Sequence, residues 1–83
     1  MTQFLFFARV RERIGSAQLD IPLPKEVRTV AQMLDHLRGQ GEPFTSALAG
    51  SHLRIAVNQS YAQPNDPVDD KDEVAIFPPV SGG

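Results

Sequence analysis

The final run Phe77-Pro78-Pro79-Val80-Ser81-Gly82-Gly83 is the place where residue type and position together point to chemistry. A closing pair of glycines carries no side chains. It can enter a channel too narrow for any other dipeptide, and it leaves the α-carboxylate sterically open. At neutral pH that carboxylate, with an ordinary pKa of about 3.3–3.7, is an anion and a poor electrophile. Activation would turn it into an acyl donor. Pro78 and Pro79 fix φ at the root of the tail and reduce the entropy lost on insertion into a partner. From Pro78 to Gly83 the chain reaches roughly 20 Å at about 3.3 Å per residue. The expected division is a globular domain, residues 1–77, and a flexible tail, residues 78–83. Gly83 is the reacting residue, and Pro78, Pro79, Val80, Ser81 and Gly82 form the inserted segment. On the dipeptide alone, a frayed terminus without chemistry is the alternative.

Elsewhere the chain offers little for catalysis. Cysteine is absent, which excludes a disulfide framework, a thiolate nucleophile and a Cys-ligated metal. His36 and His52 have no second ligand at metal spacing, so no metal site is expected. The acids Asp66, Asp69, Asp70, Asp72 and Glu73 do not follow the pattern of a calcium loop and read as a solvated turn. The serines lack a nucleophile elbow, no glycine-rich phosphate loop precedes the helix, and Lys25 and Lys71 have no activating partner. Recognition is better supplied. Phe77 is a candidate docking anchor at the foot of the tail, against a second small cluster on the far face of the sheet. Tyr61 is a candidate for the same patch, and Arg11, within Arg9, Arg11 and Arg13, is a candidate partner contact.

The elements that must hold these groups are short. Phe4 to Ala8 is an apolar run that reads as a central strand covered on both faces. Arg9 to Ile14, ending at Gly15, reads as a turn or a single helical turn. Leu19, Ile21 and Leu23 alternate with Asp20 and Pro22, and the proline places that strand at an edge. Thr29 and Gln32 spell a capping box, followed by Val30, Met33, Leu34 and Leu37 on one helical stripe, with Gly39 or Gly41 as a left-handed stop. Residues 40–51 form a connection in which Phe44, Ala47 and Leu48 suggest a turn of helix. Leu53, Ile55 and Val57 give another strand, with a turn at Asn58-Gln59 and a short pairing segment at Tyr61-Ala62. The Pro64-Asn65-Asp66-Pro67 break precedes the last strand, Val74 to Phe77. There Val74 and Ile76 face one way and Ala75 and Phe77 the other. One amphipathic helix over a mixed sheet makes a two-layer α+β domain.

With 83 residues and a formal charge of −2, the chain is a single small domain with no general attraction to nucleic acid or anionic lipid. No run approaches a membrane span, and Met1-Thr2-Gln3-Phe4 opens no leader sequence, so the cytoplasm is the expected location.

Three stretches together resemble one family. Phe6-Phe7-Ala8-Arg9-Val10-Arg11-Glu12 with Gly15 is similar to the opening of the molybdopterin synthase small subunit. Ala56-Val57-Asn58-Gln59 resembles its middle strand and turn, and Asp72 to Gly83 resembles its C-terminal signature. The resemblance implies the ubiquitin-like β-grasp fold, with the chain ending on a central strand. It also implies a sulfur carrier for molybdenum cofactor assembly, not catalytic alone and with no tightly bound cofactor. An E1-like adenylating enzyme would use ATP to activate the Gly83 carboxylate, and a sulfur donor protein would convert it to a thiocarboxylate. The carrier would then donate sulfur to cyclic pyranopterin monophosphate on the synthase large subunit. A thiamin-type sulfur carrier, a ubiquitin-like protein modifier and a non-reactive β-grasp interaction module are the competing readings.

Overall fold

The computed structural model describes residues 1–50 and 52–79. Strand β1 (Thr2–Phe6) leads into helix α1 (Ala8–Ile14), then strand β2 (Gln18–Ile21) and the main helix α2 (Val30–Arg38). A short helix α3 (Phe44–Ala47), the hairpin β3 (Arg54–Val57) and β4 (Ser60–Ala62), and the final strand β5 (Glu73–Phe77) complete the order. The sheet runs β2-β1-β5-β3-β4. β5 lies parallel to β1, with Phe4 beside Val74 and Phe6 beside Ile76, and antiparallel to β3, with Ile55 beside Ile76. β2 is an edge strand, as Pro22 suggested, although Pro22 itself falls just beyond it.

All three helices cover one face. Phe4, Phe6, Val74 and Ile76 from the sheet meet Met33 and Leu37 of α2 in a single core, joined by Val10 of α1 and by Leu48. The opposite face has no second layer among the described residues. Gln3 and Leu5 are therefore only half-buried, and the reading of β1 as covered on both sides is corrected. α1 also exceeds the expected single turn, with seven residues. Val10 anchors it in the core and Gly15, at φ 84°, closes it by donating its N–H to the Arg11 carbonyl. Ala8 sits at φ 53°, in the left-handed region, and turns the chain from strand into helix with almost no loop.

The start of α2 is fully accounted for. The Thr29–Gln32 capping box forms as expected, and Met33 N–H reaches the Thr29 carbonyl. The remaining two early donors, Val30 N–H and Ala31 N–H, go to the carbonyls of Asp66 and Pro64. Thus the proline-rich break serves as a backbone cap for the helix, satisfying groups that would otherwise be orphaned. Thr29→Ala should cost about 1 kcal/mol, read as a lower urea midpoint at unchanged slope. At the other end Gly39 stays right-handed at φ −72°. Gly41, at φ 92°, supplies the left-handed residue two positions later.

The acidic stretch is more ordered than a solvated turn. Asp70 accepts the Leu23 amide at 2.7 Å, pairs with the N-terminal ammonium at 3.1 Å, and its main-chain carbonyl accepts the hydroxyl of the fully buried Thr2. The Leu23 amide first, and the N-terminus second, hold the Asp70 carboxyl below its usual 3.8. A depressed folded pKa stabilises above the unfolded value and loses that contribution as pH falls through the folded one. Asp70→Asn should therefore lower the urea midpoint at neutral pH, and its gap to the parent should close as pH drops below about 4.

Strand order, single-face helix cover and the central final strand together make the ubiquitin-like β-grasp arrangement.

Candidate functional site

Phe77 ends β5, the middle strand of the sheet, and Pro78 and Pro79 follow directly. The tail is thus launched from the best-supported strand of the domain. Val80, Ser81, Gly82 and Gly83, expected to insert and to react, lie outside the described residues.

With Val74 and Ile76 fully buried under α2, strand alternation turns Phe77 to the uncovered face. There it meets Tyr61 on β4, ring centroids 6.1 Å apart, and Phe7, 6.2 Å away in an edge-to-face contact. Tyr61 is 73% exposed and Phe7 47%, while Phe77 between them is half-buried. Three aromatic side chains on a bare sheet face form an apolar patch with one supported centre, the composition of a recognition surface. Sequence reasoning paired Phe77 with Tyr61 but missed Phe7. The signal was present in Phe4-Leu5-Phe6-Phe7: if Phe4 and Phe6 point inward, period two sends Phe7 outward.

The three arginines of α1 do not act as one cluster. Arg9 and Arg13, four residues apart, share one helix face and line a groove of about 510 Å³ beside Pro78 and Pro79. Arg11 points to a separate hollow with Gly15 and Ser16. A basic residue not singled out, Arg54, stands on β3 directly beside Phe77 of β5 and lines a second groove, about 330 Å³, that also includes Pro79. His52 borders both grooves. Of the five clustered acids, Asp69, Asp70, Asp72 and Glu73 stand immediately before or at the start of β5, a strand length of roughly 15 Å from its end. Asn58 ties that acidic end together, donating its side-chain amide to Asp72 and accepting the Glu73 N–H. The domain is therefore polarised along β5, with acids at the entry and arginines around the tail root.

His36 lies on α2, where its main-chain carbonyl accepts from the Gln40 side-chain amide just past the helix, and His52 is exposed. Among the described residues no group of three His, Cys, Asp or Glu side chains is placed to hold a metal. No helix among them is long and apolar enough to cross a membrane. The described portion can present, stiffen and dock the tail.

Residues 4–83 match the model of the ThiS family. The molybdopterin synthase sulfur carrier subunit of Escherichia coli (strain K12) is 39% identical over 83 residues, covering all of both chains. The protein of the same description from Haemophilus influenzae is 37% identical, again over the whole of both. Among solved structures, small archaeal modifier protein 1 from Haloferax volcanii superposes with a TM-score of 0.74 at 26% identity, covering 95% of this chain and 97% of that one.

Proposed function

Because the chain belongs to the ThiS family, we propose that it is the sulfur carrier subunit of molybdopterin synthase and that its working atom is carried on Gly83. The observation that supports this most is similarity over the full length of both chains to relatives of that description. A main-chain carrier also agrees with a sequence that has no cysteine on which sulfur could ride.

The chemistry follows from the poor reactivity of a carboxylate. One oxygen of the Gly83 carboxylate attacks the α-phosphorus of ATP on an adenylating partner, and pyrophosphate leaves. The terminal sulfur of a persulfide on a donor protein then attacks the acyl carbon, and AMP leaves. A thiol cleaves the resulting acyl disulfide, departing as a disulfide and leaving the Gly83 thiocarboxylate. Docked on the large subunit, that sulfur attacks the pterin precursor, and water releases Gly83 as a carboxylate. Two such rounds supply the two sulfurs of the dithiolene. Through these steps the domain presents the tail to its partners. Pro78 and Pro79 limit its swing, Gly82 and Gly83 pass the narrowest part of a channel, and Phe77 with Tyr61 and Phe7 holds the domain against the partner. Arg11, outside both grooves at the tail root, is a further contact only if a partner wraps around α1.

Intact and C-terminal peptide mass after ATP-dependent activation tests the proposal. One oxygen replaced by sulfur adds about 16 mass units, and alkylation of the C-terminal peptide separates this from oxidation at Met1 or Met33. An unmodified Gly83 after incubation with the activating enzyme and sulfur donor would refute the carrier role. The likeness to an archaeal modifier protein supports a second reading, attachment of Gly83 to lysines of other proteins. Lysine-linked adducts in place of a thiocarboxylate would select it.

A further inference from the structure

Arg9 and Arg13 line one groove that includes Pro79, Arg54 lines another, and the sulfur chemistry makes no use of them. All three are exposed, and among the described residues no carboxylate lies within salt-bridge distance of any of them. Glu42 feels Arg13, but its oxygens are engaged by the Ser46 hydroxyl at 2.7 Å and the Ser46 amide at 3.1 Å. Like charges gathered without partners repel one another, and they do so here on a chain whose formal charge is −2. Arginine is also the side chain suited to fork-like pairing with carboxylates or phosphates.

Distance separates those two ligands. Threaded through a narrow channel, the four residues beyond Pro79 would span about 13 Å at roughly 3.3 Å per residue. When the tail is threaded, the phosphates at the reacting carboxyl are therefore remote from the tail root. What the arginines meet is the surface around the opening through which the tail enters. We propose that Arg9, Arg13 and Arg54 form a basic collar that pairs with Asp and Glu carboxylates rimming the tail channel of the synthase large subunit, an inference that rests on the carrier reading above. The collar sets approach and orientation, while the aromatic patch holds the docked state.

The test is stopped-flow association of the full-length carrier with the intact large subunit from the same organism. Arg9→Glu, Arg13→Glu and Arg54→Glu are each compared with Lys71→Glu, which changes net charge equally at the acidic end. Arg→Gln versions of the three arginines control for loss of fold. Each collar reversal should slow association about fivefold near 50 mM salt and the triple reversal about 100-fold, with the differences vanishing above roughly 0.5 M salt. Lys71→Glu should stay within about twofold of the parent. Normal rates for the collar variants, or a slowing that persists at high salt, would overturn the collar and leave the carrier reading standing. The collar is equally overturned if association is normal and only ATP-dependent activation is lost, which would assign the arginines to a nucleotide. If the parent chain itself does not bind the large subunit, both inferences fall.

Discussion

Deletion of Gly83 should reduce sulfur transfer to the pterin to background while leaving the thermal midpoint unchanged. The two halves of this result come from different parts of the molecule. Among the described residues, every buried apolar residue of the core lies between Phe4 and Ile76, and a glycine has no side chain to add to it. The acyl carbon, by contrast, would shift to Gly82 and stop about 3.3 Å short of the place where the partner's nucleophile and nucleotide are aligned. Misplacement by even an ångström is expensive when catalysis depends on positioning. Gly82→Val tests the same channel differently, by leaving the reach intact and adding a branched side chain. It too should abolish transfer at normal stability. The assay is dithiolene formation with activated carrier, run beside a melting curve. Transfer at the parental rate by the deletion variant would remove Gly83 from the mechanism.

Phe77→Ala should weaken binding to the large subunit by about 2–4 kcal/mol, some 30- to 1,000-fold in Kd. Phe77 is the supported centre of the aromatic patch. Phe7 and Tyr61 pack against it from two sides, and truncation leaves both without their shared contact. The cost to the isolated domain should stay below about 1.5 kcal/mol, because the side chain lies half-buried on the uncovered face. Phe4→Ala supplies the contrast. Phe4 is fully buried, stacked with Phe6 at 6.3 Å, and its loss should cost about 3–5 kcal/mol of stability. Calorimetric titration paired with urea unfolding distinguishes the cases. A Phe77→Ala domain that binds normally would make the patch a packing feature of the sheet.

The fold was readable where one local rule decides the outcome. Thr29 and Gln32 cap α2 as their spacing demands, and Asn58 and Gln59, both at positive φ, make the tight turn between β3 and β4. Features set by distant parts of the chain were harder to see. The length of α1 depends on Val10 reaching a core built from both ends of the sequence, a contact hidden behind three arginines. The order conferred on Asp70 depends on Met1, Thr2 and Leu23, remote in sequence. For the site, alternation placed Phe77 on the outer face. The separation of Arg11 from Arg9 and Arg13 required knowing that the segment is helical, since only then does a spacing of four align and a spacing of two diverge. Arg54 gave no sequence signal, because its proximity to the tail root comes from strand register alone.

The position of β5 has a mechanical consequence. Its ladders run along both sides, parallel to β1 and antiparallel to β3, so a pull on the C-terminus loads the two rows together and along their length. Bonds sheared in concert resist far better than bonds peeled one at a time from an edge. In the proposed role, a tip gripped inside a partner would thus be withdrawn by the handle without unravelling the domain, ready for another circuit.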